Sequence, residues 1–312
     1  MTSPAPVVTV VIPCYRQERY LAEAIESAEA QAGQPVQVIV VDDGSPDGTA
    51  ELASRYPGVE LIRQSNQGLT AARNAGLAAA RGDFIVFLDA DDRLTAGALS
   101  AGLAALAAAP HAIMAAGRCR LIDAGGGPIE HPGPRPCPGG DHYDLLLRHN
   151  HIWPPAVVLY RRGMLAAAGG WGQGRRRAED VELYLRLARN HPIQCHPTVV
   201  AEYRQQPRGL SADRGAMLAA LDSILREQRS YVADHGEYRA AYVEAEREWP
   251  VYYGELLADD VRADLLAHRW RDAADGMNDL LRYYPRAART IFAQAVRWIL
   301  PGRRRRARDT GS

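Results

Sequence analysis

The sequence predicts an α/β fold: a mostly parallel central sheet flanked by helices, with an all-helical extension at its C-terminal end. Three observations carry this. Short β-branched apolar runs alternate with stretches of helical apolar spacing through the first hundred residues, the pattern of βαβ units. Acidic residues stand directly after two of those runs, at Asp42–Asp43 and Asp89–Asp92. Beyond about residue 211 only helical spacing remains. With 312 residues, 47% of them hydrophobic and 24% charged, the chain has the composition of an ordinary globular protein. The pattern change divides it into residues 1–211 and 212–312.

The elements follow in order. Residues 7–12 form a continuous apolar run, as expected of a strand buried on both faces. Residues 18–32 place Leu21, Ile25 and Ala28 at helical spacing, and Gly33 with Pro35 stops the helix. A second strand spans 36–41, a helix 47–56, a strand 59–63, an alanine-rich helix 69–81 and a fourth strand 84–88. A helix near 96–109 leads to residues 123–140, a long loop crowded with Gly and Pro. Residues 156–160 and 193–203 read as strands, with a helix at 178–190 between them. Ligands of such sheets bind beyond the carboxyl ends of the strands, which selects residues 13–16, 42–45 and 89–92.

Composition excludes several functions. The 37 basic residues balance 37 acidic ones, which argues against a nucleic-acid partner. All the basic residues are Arg, so chemistry needing a catalytic Lys is ruled out. Cys14, Cys119, Cys137 and Cys195 show no CxxC spacing and are expected to be thiols in a reducing compartment. His149 and His151 frame the segment RHNHIWPP, but no further ligand lies at a recognised spacing, so zinc is not expected. No leader pattern and no 18-residue apolar run is present, which predicts a cytoplasmic protein. Residues 286–300 put Ala288, Phe292, Val296 and Ile299 on one helical face and Arg286, Arg289 and Arg297 on another, before the tail GRRRRARDT. That is the pattern of a peripheral membrane contact, or of a helix packed on its own domain with a solvated tail.

Three clusters carry chemistry. FIVFLDADD ends an apolar strand in Asp89, Asp91 and Asp92, whose mutual repulsion a divalent cation relieves. Hard carboxylate oxygens select Mg²⁺ or Mn²⁺. Asp92 alone could serve only as a helix cap. In VQVIVVDDGSPDGT, Gly44 suits a turn needing positive φ, while Ser45 or Asp47 caps. The adjacent acids Asp42 and Asp43 offer acceptors to a base N–H or a ribose hydroxyl. In NQGLTAARNAG, Arg73 lies about one turn into a helix, able to reach a phosphate or base.

These segments, together with VVIPCYRQERYL and VLYRRGMLAAAGGWGQGRRRAEDVELYLRLARN, resemble glycosyltransferase family 2 over residues 7–211. The resemblance implies a GT-A fold and a metal-dependent, inverting transfer. The sugar would move from a nucleotide-diphosphate donor, a UDP-sugar, to an acceptor hydroxyl of a polysaccharide, glycolipid or small metabolite. It places Pro13 and Tyr15 against the nucleotide, Asp43 on its base and Arg73 close to it. Asp89 would lie near the ribose and the Mn²⁺ or Mg²⁺ ion, with Asp91 as direct ligand. Asp180 would be the catalytic base, next to Glu179. Trp153 falls on the acceptor side. Two departures stand out: Arg16 follows Tyr15 where many members have Asn, and Gln206 occupies a position often held by His. An inactive nucleotide-sugar-binding member of the fold would be expected to lack Asp91 or Asp180, and both are present. A sugar-1-phosphate nucleotidyltransferase needs a Gly-rich basic loop, and IPCYRQERYL contains no Gly.

Overall fold

The alternation resolves into β1 (Val8–Cys14), α1 (Leu21–Glu29), β2 (Val36–Asp42), α2 (Thr49–Ala53), β3 (Val59–Arg63), α3 (Leu69–Ala79) and β4 (Phe84–Phe87). The computed structural model describes residues 7–130, 137, 139–206 and 213–299. The chain divides into two compact units, 1–209 and 210–312. In the first, strands β3, β2, β1 and β4 lie side by side and pair in parallel, as βαβ units require. The sheet then continues with β5 (Arg93–Leu94), β6 (Met114–Ile122), β7 (Val158–Arg161) and β8 (Ile193–Arg204). Its full order is β3-β2-β1-β4-β7-β6-β8-β5, with antiparallel pairing at β4–β7, β7–β6 and β8–β5. Helices α4 (Ala98–Ala108), α5 (His142–Arg148), α6 (Arg162–Ala167) and α7 (Glu179–Ala188) complete the unit.

Every residue of β1 is buried. Its one hydroxyl, on Thr9, donates to Gln37 at 2.8 Å and accepts from the Gly82 amide at 3.0 Å, so no polar group is stranded. The expected helix at 18–32 starts only at Leu21, because the preceding residues form a turn closed by Gln17. The expected helix at 47–56 shrinks to α2, with the Asp47 carboxylate accepting from the Thr49 amide at 3.3 Å. β6, α5 and α6 have no counterpart in the predicted elements. The sequence of β6, MAAGRCRLI, has neither an even apolar run nor clean alternation, and its register with β8 shifts around Arg118.

The second unit consists of α8 (Arg214–Asp234), α9 (Arg239–Leu266), α10 (Trp270–Tyr283) and α11 (Pro285–Ile299), with a short 3₁₀ turn between α8 and α9. Leu218, Leu257, Val261, Leu280, Ala288 and Ile291 form its core. The apolar face expected on α11 is split: Ala288 is buried in that core, whereas Phe292 is 68% exposed. The side chains of residues 294–299 and the arginine tail at 300–312 lie outside the described residues. Among the described residues, no helix is long and apolar enough to cross a membrane.

Helix α3 sits on β1 at a distance only glycine allows: a Cβ on Gly76 would lie 2.2 Å from Val11 Cγ1. Gly76→Ala should therefore cost on the order of 1–3 kcal/mol by overpacking. Gly163→Ala in α6, where a Cβ meets nothing within 4 Å, should be neutral or stabilising. Denaturant unfolding of the two variants checks the contrast.

Candidate active site

The carboxyl ends of β1, β2 and β4 carry the three loops selected from the sequence. Pro13 is buried within β1, opposite Val41 of β2. Tyr15 follows it, 41% exposed, with the Arg16 guanidinium 5.3 Å from its ring centre. The Arg16 amide donates to Ser45 Oγ at 3.0 Å and the Gln17 amide to Thr49 Oγ1 at 3.1 Å, tying the first loop to the second. Gly44 has the positive φ expected of it, +75°, and a Cβ there would stand 3.0 Å from the Asn66 amide nitrogen.

Asp43 is buried and organises the loop between β3 and α3. Its Oδ1 accepts from Gln64 Nε2 at 2.8 Å and the Gln67 amide at 2.9 Å, and its Oδ2 accepts from the Gly68 amide at 2.8 Å. A carboxylate has about four acceptor positions, so one on Oδ2 is left over. Asp42 instead accepts from the Ser45 amide at 3.0 Å and lies 3.5 Å from the Arg63 guanidinium.

Beyond β4, the chain turns through Asp89, Asp91 and Asp92 into β5, which pairs with β8. That pairing brings Arg204 and Gln206 to the acidic turn. Asp92 is buried and accepts from the Arg204 amide at 2.8 Å. Burial, then Asp91 and Asp89, hold its carboxyl well above the usual range. It does not cap a helix, because α4 begins at Ala98 with Gly97 before it. The Arg204 side chain, fully buried, donates to the Asp91 carbonyl at 2.7 Å and pairs with Glu23 at 2.7 Å. Gln206 Nε2 donates to Asp91 Oδ2 at 2.6 Å. Burial and then the Asp89 charge push the Asp91 carboxyl up to about 6. A cation removes the second cause and favours ionisation. Asp89 and Asp91 each retain an oxygen beside those taken by Arg73 and Gln206, so this donor set fits a hard divalent ion.

Arg73, expected close to the nucleotide, has no exposed surface. It donates to Asp89 Oδ1 and to Glu179 Oε1, each at 2.8 Å, and lies 4.2 Å over the Trp171 ring. Burial opposes its charge, but Asp89 and Glu179 outweigh burial and hold its pKa above the ordinary value. Two carboxylates from distant segments, a buried Glu179 and a half-buried Asp89, thus share one buried cation.

Glu179 and Asp180 open α7, directly after Ala178, which adopts the left-handed conformation at φ 52°. Such strain in a non-glycine residue clusters at functional sites. Asp180 is half-buried. Burial first, and the neighbouring Glu179 second, push its carboxyl up to about 7. Tyr203 lies within electrostatic reach of Asp89, Asp91, Asp92 and Asp180, so the acidic turn and the start of α7 converge around it. Trp153 meets Tyr203 edge-on, with ring centres 5.9 Å apart. Arg204, Trp171 and Tyr203 were not singled out from the sequence. Arg204 and Tyr203 lie within three residues of Gln206 in the segment EYRQQ.

Comparison with known proteins bears on the family and the fold. The family model described as Glycosyl transferase family 2 matches residues 9–168, just over half of the chain. The uncharacterized glycosyltransferase EpsJ of Bacillus subtilis is 40% identical over 91 residues, 28% of this chain and 26% of EpsJ. The match thus spans about a quarter of that curated relative. The crystal structure of S. aureus TarS 1-349 in complex with UDP-GlcNAc superposes with a TM-score of 0.61 at 16% identity, covering 92% of each chain. Mannosyltransferase PcManGT from Pyrobaculum calidifontis, in complex with GDP-Man and Mn²⁺, gives a TM-score of 0.59 at 20% identity over 96% of this chain and 82% of that one. The α/β architecture is the GT-A fold that the resemblance implied.

Arg73→Met would leave the buried Glu179 without its counter-charge and Asp89 without its partner, at a cost of about 3–5 kcal/mol. Arg73→Lys should recover little of it, because a point-charge ammonium cannot bridge two carboxylates as a guanidinium does. Thermal unfolding of both variants measures this, and a Lys variant of wild-type stability contradicts the bridge.

Proposed function

The chain belongs to glycosyltransferase family 2, and from that premise we propose that it transfers a sugar from a UDP-sugar to an acceptor hydroxyl by single displacement with inversion. The observation that carries the proposal is the placement of Asp180. A carboxyl raised to about 7 stands at a helix start, linked through Glu179 and Arg73 to the acidic turn at Asp89. A general base works best with a pKa near the working pH. In this reading Asp180 takes the proton from the attacking hydroxyl. Asp43 offers its remaining acceptor to a base N–H, and Pro13 and Tyr15 pack against the nucleotide. Asp89 and Asp91 would hold Mn²⁺ or Mg²⁺, which when bound neutralises charge on the departing diphosphate. One base and one stabilised leaving group suffice for inversion, with no second carboxylate as nucleophile. The nucleotide sugars in the TarS and PcManGT complexes, and the Mn²⁺ in the latter, support the donor class and the cation.

Residues 1–211 would form the catalytic domain and 212–312 a helical region. For α11 and the arginine tail we propose reversible attachment to an anionic membrane surface on the cytoplasmic side, supported by exposed Phe292 and the run of Arg. Salt-sensitive co-sedimentation with anionic liposomes, lost in a chain ending at Pro285, is expected.

Asp180→Asn should lower transfer on the order of 10²–10⁴-fold while leaving Mn²⁺-dependent UDP binding intact. Asp91→Ala should abolish that binding, as titration calorimetry would record. In the wild type, the transfer rate should rise with pH and level off above about 7, as the Asp180 carboxyl ionises. The sign for stability is opposite. This carboxyl is raised above its unfolded value of about 4, so its contribution is full below that pH and is lost as pH rises through about 7. Asp180→Asn should accordingly be no less stable than wild type at pH 8. NMR coupling constants of the product are expected to report a β-linkage from an α-linked donor; retention excludes single displacement.

A further inference from the structure

A second cluster of ligand-type side chains lies apart from the acidic turn in sequence. Cys137 precedes α5, His142 is the first residue of α5, His151 follows that helix, and Cys195 lies in β8 opposite Ala116 of β6. One ligand atom from each lies within 4.8 Å of the other three, and both histidines are buried. In a tetrahedral zinc site the ligand atoms stand about 3.3–3.8 Å apart. Shifts of roughly an ångström therefore close this set around an ion.

The structure joins Cys137 and Cys195 as a disulfide, with Cα atoms 5.9 Å apart. A disulfide accounts for the cysteines but not for the histidines. His151 places Nδ1 3.2 Å from the His149 carbonyl, so Nδ1 carries the proton and Nε2 carries the lone pair. That Nε2 is buried and has no hydrogen-bond partner. His142 points Nδ1 toward Cys137 Sγ at 3.8 Å, and its ring also hydrogen-bonds the Ile193 backbone. Each ring is thus anchored to the backbone through one nitrogen, the arrangement that orients metal-bound imidazoles. Burial, the leading cause in both, lowers the pKa of both rings and favours the neutral form that ligates.

We propose that, with Cys137 and Cys195 reduced, Cys137, His142, His151 and Cys195 bind one Zn²⁺ in a closed four-coordinate site. Two thiolates and two imidazoles are a ligand set suited to tetrahedral Zn²⁺. Four protein ligands leave no open position, so the role is structural. A phosphine reductant gives two electrons to the S–S bond and takes its oxygen from water, whose two protons complete the thiols. Zinc then displaces both thiol protons to solvent and leaves a neutral centre. The ion would fasten Cys137, the start of α5 and the segment leading to Trp153 onto β8, the strand that carries Arg204 toward Asp91. This inference is independent of the proposed reaction.

The test uses the full chain, purified without chelator in a phosphine reductant and incubated with Zn²⁺, then gel-filtered and analysed for metal. One zinc per chain is expected, with chelation lowering the melting temperature. His142→Ala and His151→Ala should each lose most of the zinc, although neither residue is needed for a disulfide. Should these variants fail to fold, Co²⁺ added to the reduced wild-type chain decides the matter. A tetrahedral d–d spectrum with thiolate charge transfer supports the site, and a pale octahedral spectrum overturns it. Reduced, folded protein without zinc, or zinc unchanged in the histidine variants, overturns it equally.

Discussion

A guanidinium with no exposed surface has to be neutralised where it lies, and Arg73 is neutralised by carboxylates from two remote parts of the chain. Asp89 comes from the turn after β4, and Glu179, 106 residues away from Arg73 in sequence, comes from the start of α7. Trp171 covers the flat face of the cation. The buried charges of Arg73 and Glu179 cannot stand alone in such a site, so the cation fixes the position of both carboxylates. The first turn of α7, with Asp180, is thereby held in a fixed relation to the acidic turn.

The acidic turn has its own constraint. Asp89, Asp91 and Asp92 crowd together, and the chain answers with Arg204 from the far end of the sheet. Arg204 contributes its amide to Asp92, its guanidinium to the Asp91 carbonyl and a salt bridge to Glu23 on α1. The antiparallel pairing of β5 with β8 makes this reach possible. The parallel half of the sheet thus supplies acids at strand ends, and the mixed half supplies the groups that hold them.

Burial then sorts carboxylates of the same chemistry into different tasks. Asp43, which accepts from three N–H donors, builds a loop and keeps one acceptor position. Asp92, buried and hydrogen-bonded by the Arg204 amide, locks a strand to the turn. Asp91 and Asp180, only half-buried, carry raised pKa values, the perturbation that clusters at functional sites.

Local periodicity was sufficient to determine the parallel strands, the helices between them and the loops that bear Asp43, Asp89 and Asp91, because each of those signals lies within a few consecutive residues. It was also sufficient for the helical character of the second unit. β6, with its irregular burial and shifted register, left no periodic trace in the sequence, and neither did the short helices α5 and α6. The tertiary structure alone decided that Arg73 turns inward to two carboxylates, that Arg204 braces the acidic turn, and that Cys137 and Cys195 meet beside His142 and His151 rather than standing as separate thiols. Each of these depends on residues tens to more than a hundred positions apart. Spacing along a chain reports which face a residue shares with its near neighbours; only the folded sheet fixes which distant charge, ring or sulfur that face will meet.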